Sequence, residues 1–177
     1  MRLWLARHAR PLVAPGVCYG ALDVAADALA TQAAAERLAT ALPADMVVCS
    51  STLQRCEQLA QVLSALRPDL TLKFDARLRE MDFGQWEGQT WESIGQSALD
   101  AWTADFAHYR PGGGESVHGF MQRVGAAWDD VGPQPMLWIS HAGVARACNL
   151  LSAGIRTLHR ADQWPQAAPG YGEWTTF

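Results

Sequence analysis

No stretch of this chain is apolar for long enough to cross a bilayer as a helix, which takes about 20 consecutive residues. Basic residues are not in excess either: 14 Lys and Arg stand against 18 Asp and Glu, for a net charge of -4. That balance argues against nucleic-acid binding, which wants a basic face, but it leaves room for a few arginines focused in one pocket. The only apolar stretch near the N-terminus is interrupted by Arg7 and Arg10, so no signal peptide is read and a cytoplasmic location is expected. The four cysteines (Cys18, Cys49, Cys56 and Cys148) contain no C-x-x-C and read as free thiols in a reducing compartment. No Cys or His pair has zinc-ligand spacing, so neither a metal nor a cofactor is expected. Internal repeats, linkers and a Gly-rich nucleotide loop are also missing. At 177 residues, a single domain over 1–177 is expected. What the chain does have in quantity is tryptophan, eight in all.

Apolar runs and helical stretches alternate. Residues 2–6 read as a strand tipped by Arg7-His8, followed by a loop to about Ala26 with Pro11, Pro15, Gly16 and Gly20. Asp27 can cap a helix over about 28–42, stopped by Pro43. Residues 46–49 form a buried strand, and Ser50-Ser51 can cap a helix over about 52–66 that carries Arg55 on its first turn. A third strand covers 70–74, and a Gly-punctuated loop then carries Glu80, Trp86 and Glu87. Helical stretches over about 90–96 and 97–107 precede a Gly112-Gly113-Gly114 turn and a helix capped by Ser116 that runs to about Asp130. Residues 136–140 are a fourth strand, ended by His141, with a helix over about 144–153 beyond; residues 174–177 can add an edge strand.

Strands alternating with helices predict a three-layer α/β/α arrangement around a mostly parallel sheet. Sites in such sheets lie beyond the carboxyl ends of the strands. Arg7-His8, Ser50-Ser51 with Arg55, and His141 all follow strands, so they converge on one rim. Two His and two Arg there suit phosphoryl transfer through a phosphohistidine, because the group in flight needs positioning and positive charge. Arg7 and Arg55 would hold phosphate oxygens. His141 would add a donor, and the helix opened by Ala142-Gly143 would present N–H groups to the anion. Glu80 is the candidate acid for a leaving alkoxide.

These motifs, in this order and over residues 2 to about 155, resemble the histidine phosphatases, the phosphoglycerate mutase-like superfamily. The matching segments are Leu5-Ala-Arg7-His8-Ala9, Ser50-Ser51-Thr-Leu-Gln-Arg55 with Ala60, Arg77-Leu-Arg79-Glu80, Gly84-Gln-Trp86-Glu87-Gly88, Pro111-Gly-Gly-Gly-Glu115-Ser116 and His141-Ala-Gly-Val144. The resemblance implies a phosphoglycerate mutase-like fold and a metal-independent phosphomonoesterase. In that scheme His8 is the nucleophile, Arg7, Arg55 and His141 bind phosphate, and Glu80 is the proton donor. Tyr19, Gly20 and Ala142 are further candidate substrate contacts. The Cys18-Tyr19-Gly20-x-x-Asp23 loop with the Trp-Glu-Gly and Gly-Glu-Ser segments looks most like α-ribazole phosphatases of cobalamin nucleotide-loop assembly. Alternatives are a broad phosphatase or mutase of sugar phosphates, and an inactive phospholigand-binding protein of the same fold.

The chain departs from the family pattern in three places. Ala9 and Ala142 replace glycines beside the histidines, which matters if φ must be positive there. Arg10 replaces a usual Glu and either adds charge to the pocket or pairs with Asp23. Trp86, Trp91 and Trp102 lie on the segment expected to cover the site, where stacked rings would suit a flat leaving group such as a benzimidazole. Residues 85–109 hold no Lys or Arg of the kind a small acidic sugar phosphate would want. The expected partner is a small phosphomonoester, without nucleic acid or membrane; the oligomeric state is left open, a homodimer among the options.

Overall fold

A computed structural model describes residues 3–177; the start expected for the first strand, at residue 2, lies outside the described residues. In chain order the elements are β1 (Leu3–Arg7), α1 (Ala28–Ala41), β2 (Val47–Ser50), α2 (Gln54–Leu66), β3 (Thr71–Phe74), α3 (Trp91–Ile94) and α4 (Gln96–Ala104). They continue with α5 (Val117–Asp129), β4 (Met136–Ser140), α6 (Ala142–Ser152) and β5 (Trp174–Thr176). The five strands form one sheet in the order β3-β2-β4-β1-β5. All neighbours are parallel except β5, which runs antiparallel along β1.

The period-2 alternation of the strands sends side chains to two separate cores. Leu3 and Leu5 of β1 and Trp138 of β4 are buried against α5 and α6, with Phe120, Val124, Val144 and Cys148. Ala6 of β1 and Leu137 and Ile139 of β4 are buried on the opposite face against α1 and α2, with Leu38, Leu59 and Leu63. Both faces of the central strands are therefore covered, which is why these strands read as unbroken apolar runs rather than alternating ones. None of the four cysteines is bonded to another. Among the described residues, no helix is long and apolar enough to cross a membrane.

Helix ends follow the expected chemistry at two places and depart from it at a third. Asp27 accepts from the Ala30 N–H at 2.8 Å and Ser116 from the Gly119 N–H at 3.1 Å, each satisfying an otherwise orphaned donor of a first turn. The serines before α2, by contrast, do not cap it. That helix starts at Gln54, whose N–H is taken at 2.6 Å by Asp23 from the long first loop. Asp23 is thereby occupied, and Arg10 pairs with Asp27 instead, at 3.5 Å on an open surface. The last long helix begins two residues earlier than its apolar pattern suggests, at Ala142 directly after His141.

Strand order is what assembles the rim. β4 lies between β2 and β1, with Arg7 opposite Ser140 and Ser50 opposite Ile139. The residues that follow these three strand ends, His8, Ser51 and His141, must therefore emerge side by side.

Candidate active site

His8 is 2% exposed. Its Nδ1 lies 2.7 Å from the carbonyl oxygen of Ala9, an acceptor only, so Nδ1 carries the proton and donates it there. In the neutral ring the lone pair is then left on Nε2. Burial, and next the charge of Arg55, lower the His8 pKa to about 3, so the imidazole is neutral at pH 7. The His141 ring lies beside it, with centroids 5.2 Å apart. His141 is fully buried, and burial followed by the Arg55 charge holds its pKa well below the ordinary histidine value. Its Nε2 pairs with the Ser51 hydroxyl at 2.9 Å. Ser51, expected as a helix cap, is thus a support for the second histidine.

Arg55 is fully buried without a carboxylate partner among the described residues. Its guanidinium donates to the carbonyls of Leu22 at 2.9 Å and Gly20 at 2.7 Å, and its Nε has no partner. Those carbonyls are held in place by one side chain. Glu87 accepts the backbone N–H groups of Gly20, Ala21, Leu22 and Phe83. Gly20 itself is a spacing residue, since a Cβ there would come 1.9 Å from the carbonyl oxygen of Met81. Arg7 donates to the Pro169 carbonyl at 3.1 Å, and its Nε is likewise free. Its guanidinium carbon stands 3.9 Å above the ring of Tyr171. The hydroxyls of Tyr171 and Tyr19 are 2.8 Å apart, and burial followed by that hydrogen bond raises the Tyr19 phenol.

Glu80 arrives on the loop after β3. One carboxylate oxygen accepts the Gly143 N–H at 2.9 Å and the other the Met81 N–H at 3.1 Å. The first of these N–H groups belongs to the opening turn of α6, where a negative charge is favoured. Position 143 has no room for a side chain: a Cβ there would meet a Glu80 carboxylate oxygen at 2.1 Å. Ala9 and Ala142 need no left-handed backbone, because Asp45 is the one non-glycine at positive φ among the described residues. Their methyls are buried, and the departure from glycine costs no strain.

A cavity of about 460 Å³ opens beside these groups. Arg7, His8, Tyr19, Glu80, Ala142 and Gly143 line one part, whereas Arg55, His141 and Gly20 do not line it. The remaining wall is aromatic, with Phe83, Trp91, Trp102, Phe106, Phe120 and Trp164. Trp86 is not part of it; it is buried behind, edge-on to Trp91 and Trp102 at 6.5 and 6.0 Å. The wall also contains Arg146 of α6, so a cation absent from residues 85–109 is supplied by a different element.

Sequence reasoning missed Arg146, Trp164 and Tyr171, which reach the site from distant parts of the chain. It also missed Arg123 of α5. That side chain donates to the carbonyls of Arg77 and Arg79 at 2.7 and 2.9 Å and pairs with Glu115 at 2.7 Å, clamping the loop that carries Glu80. The Glu115 of the Gly-Glu-Ser segment was in view, but nothing local says which arginine it meets. No group of three or more His, Cys, Asp or Glu side chains among the described residues is placed to hold a metal ion.

Comparison with known proteins gives one consistent picture. The sequence profile of the histidine phosphatase superfamily (branch 1) matches residues 3–168. A glucosyl-3-phosphoglycerate phosphatase of Mycolicibacterium vanbaalenii is 32% identical over 149 residues, which are 75% of this chain and 62% of that protein; the chain thus spans under two thirds of this relative's length. The native structure of a mycobacterial glucosyl-3-phosphoglycerate phosphatase superposes with a TM-score of 0.81 at 27% identity, covering 99% of this chain and 88% of that one. The crystal structure of TTHB049 from Thermus thermophilus does so with a TM-score of 0.76 at 29% identity, covering 99% and 92%.

Proposed function

The chain belongs to the histidine phosphatase superfamily, and from that premise we propose that it is a metal-independent phosphomonoesterase working through a phosphohistidine on His8. One observation carries the reading: His8 is buried and neutral, with its Nδ1 proton committed to Ala9 and its Nε2 lone pair left to attack. The phosphoryl group passes from the ester oxygen to Nε2, and the bond to the leaving oxygen breaks as the new bond forms. Arg7 and Arg55, each with an unpartnered Nε, supply the positive charge for the oxygens in flight. The alkoxide that departs is far more basic than water at pH 7 and needs a proton. Glu80 is placed to give it. Water then attacks the phosphohistidine, with Glu80, now ionised, taking the water's proton. Phosphate leaves and the enzyme returns to its starting state.

The aromatic wall supports an ester with a flat, largely apolar alcohol portion, and α-ribazole 5′-phosphate has that shape. Two of the three proteins compared above are named for a phosphorylated sugar acid, and Arg146 gives that alternative a physical basis which residues 85–109 alone would not. Comparing kcat/KM for α-ribazole 5′-phosphate, glucosyl-3-phosphoglycerate and 3-phosphoglycerate decides between them. An advantage of at least about tenfold for the first is the size expected from one ring stack plus one polar contact. Faster turnover of either sugar acid would reject the ribazole assignment. The chemical proposal is tested by acid- and base-quenching the enzyme during turnover. A phosphate that is acid-labile and base-stable, and missing from His8→Ala, is expected; an acid-stable phosphoenzyme, or undiminished turnover by His8→Ala, would refute it.

A further inference from the structure

Among the residues that line the cavity, Arg146 of α6 is the one permanently cationic side chain besides Arg7. The Arg146 guanidinium has one weak bond, at 3.3 Å to the carbonyl of Gln166, and no carboxylate partner among the described residues. Neither the nucleophile nor the acid uses Arg146. It follows Gly143 by three residues on α6, so it stands about 4.5 Å further along the helix than the N–H that holds Glu80. Arg146 therefore lines the cavity about one turn of α6 beyond Gly143.

The geometry points to an acceptor-binding subsite at Arg146 that reads a hydrogen-bond acceptor on the far end of the ester's alcohol. The aromatic wall holds the body of the alcohol, and the Arg146 guanidinium fixes its end. This inference rests on the phosphatase reading above and adds a substrate class to it: monoesters whose alcohol has a flat body and a distal acceptor, either neutral (a carbonyl or ring nitrogen) or a carboxylate. Unpaired positive charge on Arg146 favours the carboxylate of the two.

Three esters separate the possibilities: phenyl phosphate, 4-carbamoylphenyl phosphate and 4-carboxyphenyl phosphate. Wild type is expected to prefer both acceptor-bearing esters over phenyl phosphate in kcat/KM, the carboxylate by at least about tenfold, which is the scale of a hydrogen bond to a charged group. In Arg146→Met the ratio of carboxylate to phenyl ester falls to near one, and Arg146→Lys restores part of it. The ratio is the readout, so a general loss of activity in a variant does not mimic the effect. Equal kcat/KM for all three esters in wild type, or a preference that survives in Arg146→Met, would overturn the subsite. Binding of 4-hydroxybenzoate against phenol, followed by quenching of the tryptophans lining the cavity, reads the subsite without turnover. Absence of turnover on every ester would strike the phosphatase reading, whereas loss of selective 4-hydroxybenzoate binding would strike the subsite.

Discussion

Replacing Gly143 by Ala isolates the role of Glu80 without touching Glu80. The added Cβ falls 2.1 Å from one Glu80 carboxylate oxygen, and ordinary contact begins at 3.4 Å, so the carboxylate must retreat by about 1.3 Å. That retreat also breaks its 2.9 Å hydrogen bond from the Gly143 N–H. The atom displaced is the tip of a flexible side chain, and Ala is a better helix residue than Gly by up to about 1 kcal/mol, so the fold should survive with little change in Tm. A displacement of an ångström in a reacting group costs about a hundredfold. The loss should fall on esters that need a proton to leave. On a simple alkyl phosphate, kcat/KM of Gly143→Ala is expected to drop about a hundredfold, towards the ceiling set by Glu80→Gln. On p-nitrophenyl phosphate, whose leaving group departs unprotonated, both variants should lose no more than about tenfold. Equal losses on the two esters in either variant would mean that Glu80 is not the acid. An unchanged Gly143→Ala on both would mean that the carboxylate does not act from the position seen here.

Three further outcomes follow from the same geometry. Turnover should withstand strong chelators, since Arg7 and Arg55 provide the charge; inactivation by EDTA and recovery with one divalent ion would sink that mechanism. Stability should fall as pH drops below about 6.5, because the unfolded chain then protonates His8 while the folded protein resists until about pH 3. The contribution is about 1.4 kcal/mol per pH unit, or about 2 kcal/mol by pH 5, and His141 acts in the same direction; denaturant melts of wild type and His8→Asn should diverge over that window, and parallel slopes would contradict it. Arg123→Met removes the clamp on the Glu80 loop, so it should lower turnover of an alkyl phosphate more than of p-nitrophenyl phosphate, with Arg123→Lys partly restoring the former; a uniform loss would make Arg123 merely structural.

The candidate site's strand-end residues were legible because their signals are local. An apolar run ending in Arg7-His8, another ending before Arg55 and a third ending in His141 state both the strand and the polar tip in a few adjacent letters, and the carboxyl-end rule then brings the tips together. What was not legible depends on register and on distant segments. Ser51 faces His141 rather than its own helix because β2 and β4 are neighbours in a particular alignment, and no pattern within residues 50–54 encodes that. Asp23 reaches Gln54 across the long first loop, which leaves Arg10 to Asp27. Arg146 looks like any arginine in an Ala-rich helix, and Tyr171 like any residue of a Gly-flanked tail. Their importance lies in tertiary contacts alone. Among the three tryptophans of the covering segment, spacing could not tell that Trp91 and Trp102 face the cavity while Trp86 supports them from behind.

Strand order also has a consequence for how the protein is made. β1, which delivers Arg7 and His8, is flanked by β4 and β5, so Leu3 must wait for Met136 and Phe177, and Trp4 for Thr176. β1 thus emerges ahead of the other four strands of this sheet and is among the last of them to find its neighbours. Until then both of its edges are open to pairing with other chains. His8 cannot be set beside His141 by a fragment that stops short of β4, so the candidate site should assemble abruptly once β4 and β5 have emerged rather than grow as the chain lengthens.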